Sequence, residues 1–229
     1  MNLRDKIIVI TGGSQGFGLA LAGALKNEDC RVVISSNEKE RLKSAAKELG
    51  VDHFLVDVTS FEDIKKLAEY TVQNYGRIDV WINNAGIQIA PSLVEEVDIK
   101  KLHNLFEINF FGYFYGCKAV IPYFKRQNSG AIININSTAG LGGKPNISVY
   151  SSSKFAIKGL TESLRKELVG LNINVYQIFP GGMQTDIYKE KYPDDIKEYM
   201  SVESVVEKVI VNLKSETPEI DLVVKRPIK

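Results

Sequence analysis

Short apolar runs that alternate with longer amphipathic segments are the feature that most restricts the fold of this 229-residue sequence. The apolar runs are rich in β-branched residues, and those at 7–10 and 32–34 are continuously apolar. Such runs are typical of strands that helices cover on both faces. We therefore predict strands at residues 6–10, 31–35, 53–56, 79–83, 131–136, 174–179 and 220–225.

The amphipathic segments between these runs predict helices. They lie at residues 18–27, 38–49, from 60 onward, 98–126, 151–168 and 202–213. Alternating strands and helices imply right-handed crossovers, and hence a doubly wound parallel sheet. No internal repeat, low-complexity tract or Pro/Gly-rich linker divides the sequence. We predict one α/β domain of three layers over residues 1–229, with about seven strands.

The composition excludes several classes of function. The 29 Lys and Arg against 28 Asp and Glu leave a net charge of +1, so the chain has no electrostatic signature for nucleic acid or an acidic membrane. Cys30 and Cys117 are too few for a disulfide scaffold, and their spacing does not fit a zinc site. The only histidines, His53 and His103, lack partners for a metal site or a hydrolase triad. No apolar run approaches the roughly 18 residues of a spanning helix, so we expect a cytoplasmic protein without metal, nucleic acid or membrane partners.

A glycine-rich turn joins the first predicted strand to the first predicted helix. Gly12, Gly16 and Gly18 follow the spacing Gly-x-x-x-Gly-x-Gly. Glycine permits a tight turn, and the helix N terminus then presents backbone N–H groups to a phosphate. Many tight turns use glycine, but the position between a strand and a helix favours a nucleotide site.

Tyr150 and Lys154 are four residues apart, so on a helix they share one face. The pKa of tyrosine is ordinarily near 10, and a nearby ammonium group lowers it, which would suit Tyr150 for acid–base catalysis. The same spacing occurs by chance in many helices, with the tyrosine packed and the lysine solvated. Ser137 ends the fifth predicted strand, where ligands bind in parallel sheets, and this position favours the catalytic interpretation.

Several motifs together resemble one protein family. The glycine spacing, the sequence Asn-Asn-Ala-Gly at 83–86, and Asn109, Ser137, Tyr150 and Lys154 are similar to the TGxxxGxG, NNAG and Asn-Ser-Tyr-Lys motifs of short-chain dehydrogenase/reductases in their non-extended form. The similarity extends to about residue 186. It implies a Rossmann fold and a hydride transfer between a nicotinamide cofactor and a carbonyl or alcohol.

The resemblance also implies a role for each motif residue. Tyr150 would be the general acid or base, Ser137 would bind the substrate oxygen, Lys154 would hold the nicotinamide ribose, and Asn109 would position a water that relays the proton. The residues implied to bind the cofactor are Gly12, Ser14, Gln15, Gly16, Phe17, Gly18, Ser36, Asn37, Asp57, Val58, Asn84, Ala85, Gly86, Tyr150, Lys154, Pro180, Gly181 and Thr185.

The end of the second predicted strand bears on the choice between NAD and NADP. A carboxylate there accepts from the ribose 2′-hydroxyl and repels a 2′-phosphate. Ser36 occupies this position, and Ser36 and Asn37 could donate to a phosphate. Against this, Arg or Lys is missing at Asn37 and at Gln15, the two positions where NADP-preferring relatives often carry one. Lys39 and Arg41 are nearby, but on a helix they could equally face solvent. We expect NADP(H) in preference to NAD(H).

Residues 182–193 are predicted to form a short flap over the substrate. The predicted substrate pocket has mostly apolar walls and no fixed positive charge, which indicates a small carbonyl or alcohol. Its candidate wall residues are Ile87, Gln88, Ala139, Leu141, Ile147 and Met183.

The C-terminal segment 220–229 lacks the Gly-Gly sequence through which many family members form tetramers, so a tetramer is uncertain. The stretch 106–124 and the Tyr150 helix could pair across a homodimer or pack within one chain. Two other functions fit the sequence less well. A non-catalytic dinucleotide-binding sensor or scaffold would not need Ser137, Tyr150 and Lys154 together. A nucleotide-sugar epimerase or dehydratase shares Tyr-x-x-x-Lys but not the glycine spacing.

Overall fold

The computed structural model of the protein describes residues 1–226, so residues 227–229 of the C-terminal segment lie outside the described part of the chain. Within it, the strands are β1 Ile7–Thr11, β2 Arg31–Ser36, β3 Asp52–Leu55, β4 Val80–Asn83, β5 Gly130–Ile135, β6 Ile173–Pro180 and β7 Asp221–Val224. They form one parallel sheet in the order β3-β2-β1-β4-β5-β6-β7. The predicted parallel α/β sheet is confirmed, with strand bounds that differ by a residue or two.

The helices follow the strands in alternation. They are α1 Gly16–Asn27, α2 Lys39–Leu49, α3 Phe61–Tyr75, α4 Ile99–Phe106, α5 Gly112–Gln127, α6 Ser148–Glu167 and α7 Val202–Lys214. The prediction of one uninterrupted helix over 98–126 was wrong, because a π-helical turn, Glu107–Phe111, separates α4 from α5. None of the helices in residues 1–226 combines the length and hydropathy needed to cross a bilayer.

Helices cover both faces of the sheet, and the alternating side chains of β1 show how the two layers pack. Ile10 faces one layer, where it joins a buried cluster with Leu21 of α1 and Val205 of α7. Val9 faces the other, in a cluster that includes Leu67 of α3 and residues of α5 and α6. Every residue of β1 is buried, which explains why its sequence is a nearly continuous apolar run and does not alternate between apolar and polar residues.

The strand order places a crevice at the centre of the sheet. β2 and β3 lie on one side of β1, and β4 to β7 lie on the other. The connections after β1 and β4 therefore leave in opposite directions, which opens a crevice beyond the carboxyl ends of these two strands. Thr11 and Asn83 end the two strands at this point.

Candidate active site

The glycine turn after β1 packs directly against the loop after β4. Gly12 has a φ of 66°, and a Cβ there would lie 2.7 Å from the Cα of Ala85. A Cβ on Gly18 would lie 2.3 Å from the carbonyl oxygen of Gly12 and 2.4 Å from Nδ2 of Asn84. Such distances exclude any side chain, so both glycines are required by the close approach of the two loops.

Asn84 holds the two loops together. Its Nδ2 donates to the carbonyl oxygens of Thr11 at 2.8 Å and Gly12 at 3.0 Å. The backbone N–H groups of Asn84 and Ala85 donate in turn to Oγ1 of Thr11, at 3.0 and 3.2 Å. The Asn-Asn-Ala-Gly segment thus braces the glycine turn.

Tyr150, Lys154 and Ser137 meet where β5 ends against the first turns of α6. Nζ of Lys154 donates to the carbonyl oxygen of Ile135 at 3.2 Å and lies 5.6 Å from the ring centre of Tyr150. It also lies 5.3 Å from the ring of Tyr113, whose hydroxyl donates to the same carbonyl at 2.8 Å. Oγ of Ser137 accepts from the N–H of Ala139 at 3.1 Å, which leaves its own O–H available as a donor.

Burial controls the ionisation of this pair. Lys154 is only 4% exposed, and Tyr150 is only 9% exposed. Burial raises the pKa of Tyr150 to about 12, and a hydrogen bond with Ser137 opposes this rise. Burial lowers the pKa of Lys154 to about 7. The expected lowering of the Tyr150 pKa by Lys154 is therefore not found in the chain alone, because desolvation penalises the charged form of both groups.

Asn109 lies within the π-helical turn and is fully buried. Its Oδ1 accepts from the N–H of Ile87 at 2.8 Å, and its Nδ2 donates to the carbonyl of Ile87 at 2.9 Å and to Oγ of Ser153 at 3.3 Å. A Cβ on Gly86 would lie 3.3 Å from Oδ1 of Asn109. Asn109 therefore stands behind the loop after β4 and fixes it, while Ser137, Tyr150 and Lys154 reach the cleft.

One cleft of about 750 Å³ runs from the glycine turn to Tyr150. Apart from Asn109, every residue predicted to bind cofactor or substrate by its motif lines this cleft. Gln15 precedes α1 and makes no side-chain capping bond within residues 1–226, so the first N–H groups of the helix face the cleft without a side-chain acceptor. This arrangement suits a phosphate at the glycine turn.

The sequence matches one protein family over most of its length. A family model described as short chain dehydrogenase matches residues 6–197. The chain belongs to the short-chain dehydrogenase family.

Relatives and solved structures agree with this assignment. A 3-oxoacyl-[acyl-carrier-protein] reductase of Thermotoga maritima is 37% identical over 205 residues, which cover 86% of this chain and 82% of the relative. An uncharacterized oxidoreductase of Staphylococcus saprophyticus is 34% identical over 202 residues, with the same two coverages of 86% and 82%. The predicted family and enzyme class are confirmed: this short-chain dehydrogenase is an oxidoreductase.

Two solved structures share the fold. One is an alcohol dehydrogenase from the archaeon Thermococcus sibiricus, complexed with 5-hydroxy-NADP, with a TM-score of 0.89 at 25% identity. The match covers 99% of this chain and 100% of the dehydrogenase chain. A short-chain dehydrogenase/reductase from Burkholderia phymatum, in complex with NAD, has a TM-score of 0.87 at 22% identity and covers 96% and 90%.

The rim of the cleft at the end of β2 carries a cation in this dehydrogenase. Ser36 uses its Oγ to accept from the N–H of Glu38 at 3.2 Å. Arg41 donates to Oε1 of Gln15 and pairs with the Glu38 carboxylate at 3.3 Å. Gln15 and Glu38 line the cleft, so Arg41 lies beside its rim through these two contacts, although its own side chain is exposed and is not part of the lining.

The substrate end of the cleft is more polar than the predicted apolar walls. Lys144, Lys189, Lys191 and Arg226 line it beside two carboxylates, so the expected lack of positive charge was wrong. The lysines of the flap could be read from the sequence, but Arg226 reaches the cleft only because β7 lies beside β6. The predicted wall residue Leu141 is 43% exposed and is not part of the described lining.

Aromatic residues that the sequence did not indicate complete this end. Tyr188 packs edge-to-face on Tyr199 with ring centres 5.6 Å apart. The guanidinium of Arg226 lies 4.1 Å from the Tyr199 ring centre and pairs with Asp195 at 3.0 Å. The flap is also tied across the cleft by Glu190, whose carboxylate accepts from Lys101 and from the N–H of Ala90.

Proposed function

We propose that the protein transfers a hydride between NADP(H) and a small carbonyl or alcohol, with Tyr150 as the general acid or base. The observation that carries this proposal is the convergence of Ser137, Tyr150 and Lys154 at one end of a cleft whose other end is the glycine turn. A phosphate site and an acid–base site in one cleft match the two ends of a dinucleotide coenzyme and its substrate.

The residues of the cleft fit a nicotinamide dinucleotide. Gly12 and Gly18 let the glycine turn pack against the loop after β4, where any Cβ would clash, and both line the cleft. Lys154 is a buried amine with three possible donors, and residues 1–226 give it one hydrogen bond, to Ile135. Its remaining donors suit ribose hydroxyls. A bound nicotinamide would accept or supply the hydride, and its oxidised form would add a positive charge near Tyr150.

The protein side chains would manage the proton. The high pKa of Tyr150 keeps its hydroxyl protonated at neutral pH, ready to donate to a carbonyl oxygen during reduction. Ser137 accepts from the N–H of Ala139, so its single O–H can turn from Tyr150 and donate to the same oxygen when a substrate is bound. In the oxidative direction Tyr150 must lose its proton, which a nearby positive charge favours.

The preference for NADP(H) rests on the rim of the cleft. Ser36 presents no carboxylate to repel a 2′-phosphate, and Arg41 neutralises the neighbouring Glu38. The Thermococcus sibiricus structure contains 5-hydroxy-NADP and the Burkholderia phymatum structure contains NAD, so the proposed preference rests on these residues alone.

A direct test combines cofactor titration with turnover. NADPH and NADH are titrated by fluorescence, and a panel of small aldehydes, ketones and alcohols is then followed at 340 nm. We expect tighter binding of NADPH and measurable reduction of at least one carbonyl. Cofactor binding without turnover of any compound would favour the alternative, a dinucleotide-binding sensor or scaffold.

A further inference from the structure

A chain of polar side chains runs beneath α6 from the end of β5 to β7; its first two members, Asn136 and Gln177, are buried, and its last, Asp221, is partly exposed. Asn136 donates through Nδ2 to Oε1 of Gln177 at 2.9 Å, and Gln177 donates through Nε2 to Oδ1 of Asp221 at 3.3 Å. Arg165 of α6 holds Asp221 with two bonds, at 2.8 and 3.1 Å. The chain thus starts beside Ser137 and ends in an ion pair near the edge of the sheet.

The direction of every bond in this chain is fixed by the ion pair. The Asp221 carboxylate can only accept, so Gln177 must turn its NH₂ group toward it and its oxygen toward Asn136. Asn136 must then turn its NH₂ toward Gln177, which leaves its own oxygen for the N–H of Ser137, at 2.9 Å. Asn136 and Gln177 are 3% and 0% exposed, so water cannot replace a lost partner.

This ordering reaches the hydroxyl of Ser137. The backbone N–H of Ser137 is held by Asn136, and its Oγ is held by the N–H of Ala139 at 3.1 Å. With both groups engaged, the O–H remains as a donor, and it faces the same site as Tyr150. Arg165 lies on the helix that carries Tyr150, so the chain also connects that helix to the strand end that carries Ser137.

We propose that Asn136 and Gln177 are positioning residues that hold the Ser137 hydroxyl against Tyr150. This inference rests on the proposed function, because it assigns them a part in the same proton transfer. Gln177 is fully buried and is not part of the cleft lining, whereas Asn136 lines the cleft but is only 3% exposed. Both act through the backbone of Ser137.

The fold supplies a matched control. A second buried chain on the same face runs from Asn83 to Oδ1 of Asn134 and from Nδ2 of Asn134 to Oγ1 of Thr161, each bond 2.8 Å long. Asn134 is fully buried and lies two residues before Asn136, but its bonds lead to α6 and β4 instead of Ser137.

The first experiment compares Gln177→Leu with Asn134→Leu. The readouts are NADPH affinity, thermal unfolding, and kcat, KM and the pH profile with the best carbonyl of the panel. Both variants should lose stability and keep their NADPH affinity within about threefold. Only Gln177→Leu should lose kcat, by about tenfold or more with little change in KM, since small misplacements at a reacting group are costly. Its pH profile should also move to higher pH, because the hydrogen bond from Ser137 lowers the pKa of Tyr150.

Three titratable groups that face Tyr150 could also affect the pH profile. They are Lys154 on its own helix, Tyr113 on α5 and Tyr188 in the flap. All three are present in both variants, so a difference between the two profiles reports on Ser137.

A second experiment reverses the donor and acceptor directions of the hydrogen-bond chain. It does not depend on whether the leucine variants fold. Asn136→Asp keeps the acceptor for Ser137 but places acceptors on both sides of Gln177, so kcat should fall. Asp221→Asn alone keeps an amide oxygen for Gln177 and should stay within about threefold of the wild type. In the double variant the amide of Gln177 can flip. Its NH₂ then points to the carboxylate at position 136 and its oxygen to the amide at position 221, so most of kcat should return.

The outcomes separate the two proposals. A wild type that turns over no carbonyl and no alcohol of the panel overturns the proposed function and the positioning role with it. Turnover that Gln177→Leu leaves unchanged, or that Asn134→Leu reduces with the same shift of the pH profile, overturns the positioning role alone. Failure of Asp221→Asn to rescue Asn136→Asp also contradicts it.

Discussion

Burial sets the charge of Lys154 and Tyr150 more strongly than their proximity does. The motif predicts an ammonium that lowers the pKa of the tyrosine, whereas the fold places both groups where charge is costly. The sequence indicated which residues meet, because their spacing on a helix and at a strand end is local. It could not indicate how deeply they are buried, which depends on Tyr113 and Ile135 packing around the amine.

Removing the buried amine should stabilise the chain without cofactor. We expect Lys154→Met to raise the free energy of unfolding at pH 6 and to lose this advantage as the pH approaches 10. The sign follows from the lowered pKa: between about 7 and 10.5 the unfolded chain binds the extra proton, so wild-type stability rises through that range. Urea unfolding at both pH values measures the effect.

The control for this prediction is Lys158→Met, one turn further along α6. Lys158 is partly exposed and pairs with Glu162 at 2.7 Å, so its loss should change stability by less than about 1 kcal/mol, with little dependence on pH. A Lys154→Met variant that is less stable than the wild type at pH 6 would contradict the burial argument.

Arg41 should set the cofactor preference. We expect Arg41→Ala to weaken NADPH binding by about tenfold and to leave NADH binding nearly unchanged, because only NADPH carries the 2′-phosphate. Lys43→Ala serves as the control, since Lys43 is a cation of the same helix that pairs with Glu40 and is not among the residues at the cleft rim. Equal changes in both affinities, or none, would argue against a phosphate contact at Arg41.

At the scale of the elements, α5 approaches β4 closely because Gly116 carries no side chain. A Cβ there would lie 2.1 Å from Oδ1 of Asn83 and 2.5 Å from Nε1 of Trp81, which are hydrogen-bonded to each other at 2.8 Å. The apolar runs predicted nearly all strands and helices near their observed positions. They did not reveal the π-helical turn at Glu107–Phe111, because one extra residue in a turn barely changes the apolar periodicity.

Substitution of this glycine should therefore destabilise the protein. Gly116→Ala is expected to lower the free energy of unfolding by about 1–3 kcal/mol, since the fully buried neighbours cannot move aside. Gly159→Ala on α6 is the control, because its Cβ would meet nothing within 4 Å and alanine favours a helix by about 0.5–1 kcal/mol. If both variants unfold at the same urea concentration, the close approach does not limit stability.

At the scale of the whole molecule, strand order brings distant residues into one cleft. The glycine turn, the loop after β4, the end of β5 and the flap after β6 meet because parallel strands end at the same edge. This much followed from the alternation of strands and helices. The charge of the substrate end did not, because Lys144, Tyr199 and Arg226 belong to separate connections whose approach depends on tertiary packing.

Tyr150→Phe removes one oxygen and keeps the ring, so it tests directly whether Tyr150 donates the proton. The rate of NADPH oxidation is measured with the carbonyl that the wild type reduces fastest, together with NADPH affinity. We expect turnover to fall at least about 100-fold, because the general acid is lost, while NADPH binds within about threefold of the wild type. Turnover at the wild-type rate would contradict the assignment of Tyr150 as the proton donor.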